Sequence, residues 1–359
     1  MGFTREDTKV IKGIAIVLML FHHLFFFPER IAEEIAYLGW IEVGGAWLAF
    51  LIGRFGKFCV ALFLFLGGYG IHCASAKYAE DHSALSDMIY KRILNLYLEY
   101  WKVFAVFVPV CILAGTSNVV LDIQSLIWNI TALDITYCGE WWFFRPYAAL
   151  LFTYPVVQKA LRGKDRLQFD LLCVLFLNLF VGYVLPCVYE YRWAAKLSES
   201  LFWDIFSEML SCAPAFYMGC VAAKYDLLAK IRKTLSGSFL RYGAACAVMA
   251  AIFCLYYDVF TLYDYIFAPI FTGAAIAVLS LPAFRWLYKL LGKIGQEGTV
   301  IWLVHSLYCY HLCQRLVFLP RYNAFIFLWL LAMCYVTAIA MRAFYAVAAR
   351  GMRKSAQRI

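Results

Sequence analysis

Two adjacent histidines lie near the N-terminus, at the end of an apolar run that begins at Lys12 and ends at His22 and His23. An imidazole titrates near neutral pH, so it can act as a general base on a hydroxyl or carry an acyl group itself. A helix through this run would place Lys12 and His23 on one face, about 15–17 Å apart along the axis, and would rotate His22 by about 100°. We therefore predict a catalytic role for His23 and interpret His22 as hydrogen-bonded inside the protein.

A third histidine, His305, lies within a later apolar run that follows the polar, Gly-rich stretch Leu-Gly-Lys-Ile-Gly-Gln-Glu-Gly. Its helical rise would place it about 10–15 Å deep in a membrane. An ionisable residue in such a run is costly and is by default a functional-site hypothesis. His305 is our second candidate catalytic residue, although a core histidine satisfied by hydrogen bonds explains it equally well. We assign no role to His311, six residues further on.

A polar stripe follows the paired cations Lys91 and Arg92. Helical spacing puts Arg92, Asn95 and Glu99 on one face, and Lys102 is close enough to pair with Glu99. The stripe has two explanations. Either its cations anchor the helix at the cytoplasmic side of the membrane and two of its charges form an internal ion pair, or it is a cationic site for an anionic ligand.

An aromatic segment contains two further candidates, Trp142 and Arg145, shortly after Glu140. Its aromatic residues are typical of a membrane-interface belt, but such a belt does not require an arginine. Arg145 could contact a hydroxyl-rich acceptor or pair with Glu140. In a later run, Asp204 and Glu208 would repel on one helix face, so we expect one to be protonated or paired with a cation elsewhere.

The composition indicates the scaffold that must position these residues. The 359 residues are 64% hydrophobic and 15% charged, against about 45–50% apolar and about 25% charged in soluble domains. The surplus apolar surface must face lipid, so we expect one membrane domain over residues 1–359. The net charge of +9 is spread along the chain, which argues against nucleic acid binding. Most of the thirteen cysteines lie in apolar runs, so we expect no disulfide framework.

Membrane spans follow from the length of the apolar runs, since a helix needs about 20 mostly apolar residues to cross a bilayer. This criterion predicts an all-α polytopic bundle of about ten transmembrane helices, at 10–27, 57–75, 94–114, 141–161, 168–188, 201–223, 238–257, 262–282, 298–318 and 323–348. The stretch 38–53 is interrupted by Glu42, Gly44 and Gly45. We interpret it as a re-entrant or interfacial helix outside the count. Most Lys and Arg residues then fall on one side, which predicts that the N- and C-termini are cytoplasmic.

Five short segments, in the same order along the chain, resemble the acyltransferase-3 family of bacterial multi-pass membrane acyltransferases. They are Lys12-Gly13-Ile14-Ala15 leading to His23, Val60 to Tyr69, the pair Lys91 and Arg92, Trp142-Phe143-Phe144 with Pro155, and Leu291-Gly292 leading to His305. The sequence departs from the family pattern at Lys12, where the family has arginine, and also at Gly67, Asn95 and Leu98. The lysine matters most, because it cannot make a bidentate contact.

The resemblance implies that an acyl group, expected to be acetyl, moves from cytoplasmic acyl-CoA to a hydroxyl of a cell-envelope or extracellular glycan, or of its lipid-linked precursor. The membrane would be a bacterial plasma membrane, and no metal is expected. Lys12, Lys91 and Arg92 would bind the phosphates of CoA. His23 would be the general base or the acyl carrier, which the sequence does not decide.

The remaining candidates take roles in the same scheme. His305 would orient the substrate or bind the donor. Trp142 and Arg145 would lie where the sugar arrives.

Two other functions remain open. A proton-coupled transporter or flippase of a glycan or lipid precursor could use His23, His305 and Glu99 as a proton relay. The sequence shows no inverted repeat and no paired interrupted helices of the kind that transporters often contain. The chain could also be the membrane sensor of a regulatory protein, but no appended domain is evident. The acceptor, the acyl chain, the oligomeric state and the choice between His22 and His23 as the catalytic histidine stay open.

Overall fold

The computed structural model describes residues 2–39, 41–78, 81–163, 165–189, 200–256 and 263–356. Almost all regular structure in these residues is helical. The α-helices are α1 Arg5–Phe25, α2 Leu48–Phe55, α3 Phe58–Ser75, α4 His82–Leu113, α5 Ile123–Ile130, α6 Phe144–Leu161, α7 Leu167–Leu179, α8 Leu185–Tyr189, α9 Leu201–Lys224, α10 Leu227–Leu235, α11 Phe239–Leu255, α12 Asp264–Leu279, α13 Arg285–Gln296, α14 Gly298–Ser306, α15 Gln314–Phe318 and α16 Asn323–Ala356.

Shorter elements join these helices. Four are 3₁₀-helices, at Pro28–Arg30, Ala76–Tyr78, Gly139–Phe143 and Pro282–Phe284. Two are π-helical segments, at Phe180–Val184 and Leu307–Leu312. Strands β1 Glu42–Val43 and β2 Ala46–Trp47 form a small antiparallel hairpin. π-Helical segments often occur at functional sites.

The fold is that of an all-α polytopic membrane protein, as predicted. Among the described residues, six helical segments are long and apolar enough to cross a membrane: Arg5–Phe25, Leu48–Tyr78, His82–Leu113, Leu167–Cys187, Leu201–Lys224 and Asn323–Ala348. A seventh span results if α12 and the next segment, Pro282–Gln296, are counted as one span; the two are bent by 95° relative to each other. Helices also cover the other predicted spans, but the count of ten and the cytoplasmic termini stay predictions.

Two expectations from the sequence are wrong in detail. The stretch 38–53 is not one helix, because residues 42–47 form the hairpin and α2 begins only at Leu48. Gly44 and Gly45 form the turn with φ of 59° and 81°, a backbone conformation that glycine adopts freely. The run 298–318 is not one continuous helix either, since it consists of α14, the π-helical segment Leu307–Leu312 and α15.

The start of α1 is fixed by a capping box. The Asp7 backbone N–H donates to the Thr4 hydroxyl at 3.1 Å, and the Thr4 backbone N–H donates to the Asp7 carboxylate at 2.8 Å. The same carboxylate accepts a hydrogen bond from the Tyr288 hydroxyl at 2.9 Å and lies 3.5 Å from the Arg232 guanidinium. These contacts hold α1 to α13 and α10, so the helix that carries Lys12 and His23 is anchored at its first turn.

Glycines allow the closest helix crossings. A Cβ added at Gly13 of α1 would lie 2.1 Å from the Leu291 carbonyl oxygen of α13, and one at Gly295 would lie 1.9 Å from the Lys9 carbonyl oxygen. Helices α3 and α9 meet in the same way at Gly68. Membrane helices associate through such close packing of small residues, since lipid provides little hydrophobic driving force between them.

Candidate functional site

A cavity of about 1600 Å³ runs through the helical bundle and contains most of the candidate residues. The residues of α1 that line it extend from Arg5 to His23, which is about 27 Å at 1.5 Å per residue. Its walls also include side chains from α3, α4, α6, α9 and α14. One continuous space therefore connects the Lys12 end of the bundle with the histidines.

Cations and polar groups line the Lys12 end of the cavity. Lys12, Arg92, Asn95 and Glu99 all border it, so the polar stripe predicted on α4 faces this space. Lys12 and Arg92 are near enough to repel each other, and Arg92 Nη2 donates to the Gly70 carbonyl at 3.0 Å. Arg5 and Lys9, which precede Lys12 on α1, also line the cavity, so this end offers several cationic side chains to an anion.

The remaining charges of the stripe lie as follows. Glu99 pairs with Lys102 at 2.7 Å, which confirms the predicted ion pair. Lys91 is exposed and does not line the cavity, so the structure does not bring it to Lys12 and Arg92.

His23 and His305 meet at the other end, with ring centroids 4.7 Å apart and an interplanar angle of 53°. His23 lines the cavity and His305 lies fully buried behind it. His305 Nδ1–H donates to the Trp302 carbonyl at 2.6 Å, and its Nε2 has no hydrogen-bond partner among the described residues. Because a carbonyl can only accept, this bond leaves the Nε2 lone pair of a neutral His305 free.

Tyr310 holds His23 from the π-helical segment Leu307–Leu312. Its hydroxyl donates to the His23 carbonyl at 2.5 Å and lies 3.4 Å from His23 Nδ1. The Nε2 atom of His23 makes no hydrogen bond to the described residues. A neutral His23 with its proton on Nδ1 would therefore present a basic Nε2.

His22 also reaches the cavity, although it is buried. Its Nδ1–H donates to the Gly53 carbonyl at 2.8 Å, as the sequence led us to expect of a structural histidine. Both neighbouring histidines border the same space. Of the two, His23 is the better candidate for the catalytic histidine. Its ring centroid lies 4.7 Å from that of His305.

An arginine that the sequence did not single out lies beside the histidines. Arg30 Nη1 pairs with Glu140 Oε1 at 2.7 Å, and its guanidinium lies over the rings of Phe27 and Tyr310 at 4.7 and 5.2 Å. Both Arg30 and Glu140 line the cavity. Sequence reasoning missed Arg30 because it lies outside the apolar runs, in the 3₁₀-helix that follows α1, and is 110 residues away from its partner.

Trp142 lines the cavity near Glu140, but Arg145 does not. Arg145 Nη2 pairs with Glu208 Oε1 at 2.5 Å, and Nη1 donates to the Leu133 carbonyl at 3.1 Å. The suggested pair of Arg145 with Glu140 is therefore wrong, whereas the expectation that Asp204 or Glu208 would find a cation elsewhere is confirmed. Glu208 itself lines the cavity.

The geometry defines what this space can accommodate. Cations at one end can hold a polyanionic molecule, while the imidazole pair at the other end can remove a proton from a hydroxyl. Between them the cavity is lined largely by apolar and aromatic side chains such as Met19, Phe63 and Tyr147. A long molecule with a charged head and a reactive tail fits this distribution.

Comparison with known proteins gives one match. A family model described as an acyltransferase domain matches residues 7–345, nearly the whole chain. No curated protein matches the sequence, and no solved structure matches it.

Proposed function

Because the chain belongs to the acyltransferase-3 family and is a membrane acyltransferase, we propose that it transfers an acyl group from cytoplasmic acyl-CoA to a sugar hydroxyl. The acyl group is acetyl, and the acceptor is a cell-envelope or extracellular glycan or its lipid-linked precursor. The observation that carries this proposal is the single cavity that contains Lys12, Arg92 and His23.

The donor would bind at the cationic end. CoA is polyanionic, and Lys12 and Arg92 both line the cavity. Charge-assisted hydrogen bonds to phosphate are the strong contacts that such a site needs. The thioester, at the far end of the donor's flexible arm, would then reach along α1 toward His23. Lys91 would contribute only long-range attraction from its exposed position.

The chemical step would use the basic Nε2 of His23. In one route it takes the proton of the acceptor hydroxyl, the oxygen attacks the thioester carbonyl, and the C–S bond breaks to release CoA. In the other, Nε2 attacks the thioester first and the acyl-imidazole then passes its acyl group to the hydroxyl. Both routes need His23 held in place, which Tyr310 and His305 would do.

The acceptor would arrive at the end that contains Trp142 and Glu208, since both line the cavity. An aromatic face and a carboxylate are suited to a sugar ring and its hydroxyl groups. Arg145 would act through its ion pair with Glu208, rather than contacting the sugar from inside the cavity.

The proposal includes a topology. Both termini face the cytoplasm of a bacterial cell, ten helices cross the plasma membrane, and residues 1–359 act as one domain. This orientation puts Lys12 and Arg92 on the side where acyl-CoA is made. It places the histidines deeper, between the donor and an acceptor outside the cytoplasm.

The test is a label-transfer assay in membranes that contain the full chain. Radiolabelled acetyl-CoA should transfer label to cell-envelope material with the wild-type protein and not with His23→Ala at equal protein level. Label transfer that is unchanged in the variant would contradict the role of His23. Wild-type membranes that neither consume acetyl-CoA nor transfer label would favour the transporter, for which the cavity through the bundle would be the path.

A further inference from the structure

Three side chains with metal-binding atoms converge beside the histidine end of the cavity. Cys138 and Glu140 lie at the start of the 3₁₀-helix Gly139–Phe143, and His311 lies in the π-helical segment Leu307–Leu312. One ligand atom from each residue lies within 4.8 Å of the other two. Thiolate, imidazole and carboxylate are the ligands that zinc prefers in proteins. The acyl transfer proposed above uses none of these three groups.

We propose that Cys138, Glu140 and His311 bind one Zn²⁺ ion that fastens the segment at residues 138–140 to the π-helical segment that carries Tyr310. The ion holds these two segments together, and no step of acyl transfer passes through it. It revises the sequence-based expectation of no metal and gives His311 a role.

Two of the three ligand atoms already have the spacing of a zinc site. With a Zn–S distance of about 2.3 Å and a Zn–O distance of about 2.0–2.2 Å, a tetrahedral ion holds its sulfur and oxygen about 3.5–3.7 Å apart. The Cys138 Sγ to Glu140 Oε2 distance is 3.6 Å. Because the three atoms lie within 4.8 Å of one another, His311 needs a shift of at most about 1 Å to complete the triangle.

Each ligand atom is available for the ion. Glu140 uses Oε1 for the pair with Arg30, which leaves Oε2 on the side of Cys138. His311 Nε2 is buried without a hydrogen-bond partner among the described residues, and an unpaired buried polar atom is costly unless something binds it. Cys138 is fully buried and forms no disulfide. Its Sγ lies 3.1 Å from the Ser306 hydroxyl.

The charges of the cluster also suit a dication. When Zn²⁺ binds, the Cys138 thiol loses its proton to solvent and the thiolate and carboxylate together neutralise the ion. The Arg30 guanidinium stays on Glu140 Oε1 as an outer partner of the ligand, an arrangement typical of metal sites. The fourth position is filled by water or by the Ser306 hydroxyl. The ion would therefore hold Glu140, and through it Arg30, in a fixed place beside His23.

The experiment measures metal in the full-length protein, purified in detergent through a tag without histidine. Inductively coupled plasma mass spectrometry should find about one zinc per chain in the wild type and in the control Cys187→Ser, whose thiol is exposed. Cys138→Ser and His311→Ala should lose most of it. Gel filtration and thermal unfolding show whether each variant is folded.

A spectroscopic arm identifies the ligands. After Co²⁺ replaces zinc, a thiolate ligand should give a near-ultraviolet charge-transfer band in the wild type and the control, and Cys138→Ser should lack it. Wild-type protein that binds neither zinc nor Co²⁺ would overturn the proposal. Zinc that stays bound in folded Cys138→Ser and His311→Ala would overturn it too, since the ion would lie elsewhere. Neither readout depends on acyl transfer.

Discussion

The close crossing of α1 and α13 at Gly13 makes a sharp prediction about both stability and activity. A Cβ at position 13 would lie 2.1 Å from the Leu291 carbonyl oxygen and 2.7 Å from its carbonyl carbon. A comfortable carbon–oxygen contact is about 3.3 Å, so Gly13→Ala must push the two backbones apart by about 1 Å. Neither atom belongs to a flexible side chain that could move away.

We expect Gly13→Ala to lower both the stability of the protein and its activity. Overpacking of this kind destabilises a protein by about 1–3 kcal/mol, so the variant should unfold at a lower temperature in detergent. Because α1 also carries Lys12 and His23, a shift of about 1 Å should reduce acyl transfer by up to about 100-fold. The loss of activity should persist at temperatures where the variant is still folded.

The matched control is Gly292→Ala in α13. The nearest atom to its added Cβ is Val10 Cγ2 at 3.7 Å, an ordinary contact. Alanine is favoured over glycine inside a helix by about 0.5–1 kcal/mol, so the control should be at least as stable as the wild type and fully active. If Gly13→Ala unfolds and transfers label as Gly292→Ala does, the close crossing and the positioning role of α1 are both refuted.

Three further predictions concern single contacts. Lys12→Met should raise the KM for acetyl-CoA about 10-fold, the value of one charge-assisted contact. Lys91→Met should leave this KM unchanged. If the two variants have the same KM, the donor does not bind where we place it. Replacement of Arg145 or Glu208 alone by leucine should destabilise the protein by about 3 kcal/mol. The double variant should recover most of the lost stability. Additive losses in thermal unfolding would show that the pair is not coupled. Tyr310→Phe should lower kcat about 5–10-fold with little change in KM, and an unchanged kcat would refute the positioning of His23 by the hydroxyl.

Features within one helix were predictable from the sequence. The period of an α-helix alone places Lys12 and His23 on one face, and both line the cavity. The same holds for the stripe of Arg92, Asn95 and Glu99. These relations need no knowledge of how helices pack, because the backbone geometry fixes them.

Contacts between distant segments could not be predicted in this way. Arg145 and Glu208 are 63 residues apart, and the partner of each depends on how α6 meets α9. Hydropathy could not reveal the π-helical segment at Leu307–Leu312 either, since a continuous and an interrupted helix have the same composition. A sequence signal did exist for the hairpin, because Gly44-Gly45 between two short strands is typical of a tight turn.

In the proposed mechanism His23, and not its neighbour His22, performs the acyl transfer. The most direct measurement compares purified His22→Ala and His23→Ala in one assay of CoA release from acetyl-CoA with the acceptor present. Loss of a general base or nucleophile predicts that His23→Ala is slower by about 10²–10⁴-fold. His22→Ala, which loses its bond to the Gly53 carbonyl and its ring contacts with Phe26 and Phe27, should stay within about 10-fold of the wild type. The opposite order, or an unchanged rate in His23→Ala, would contradict the account.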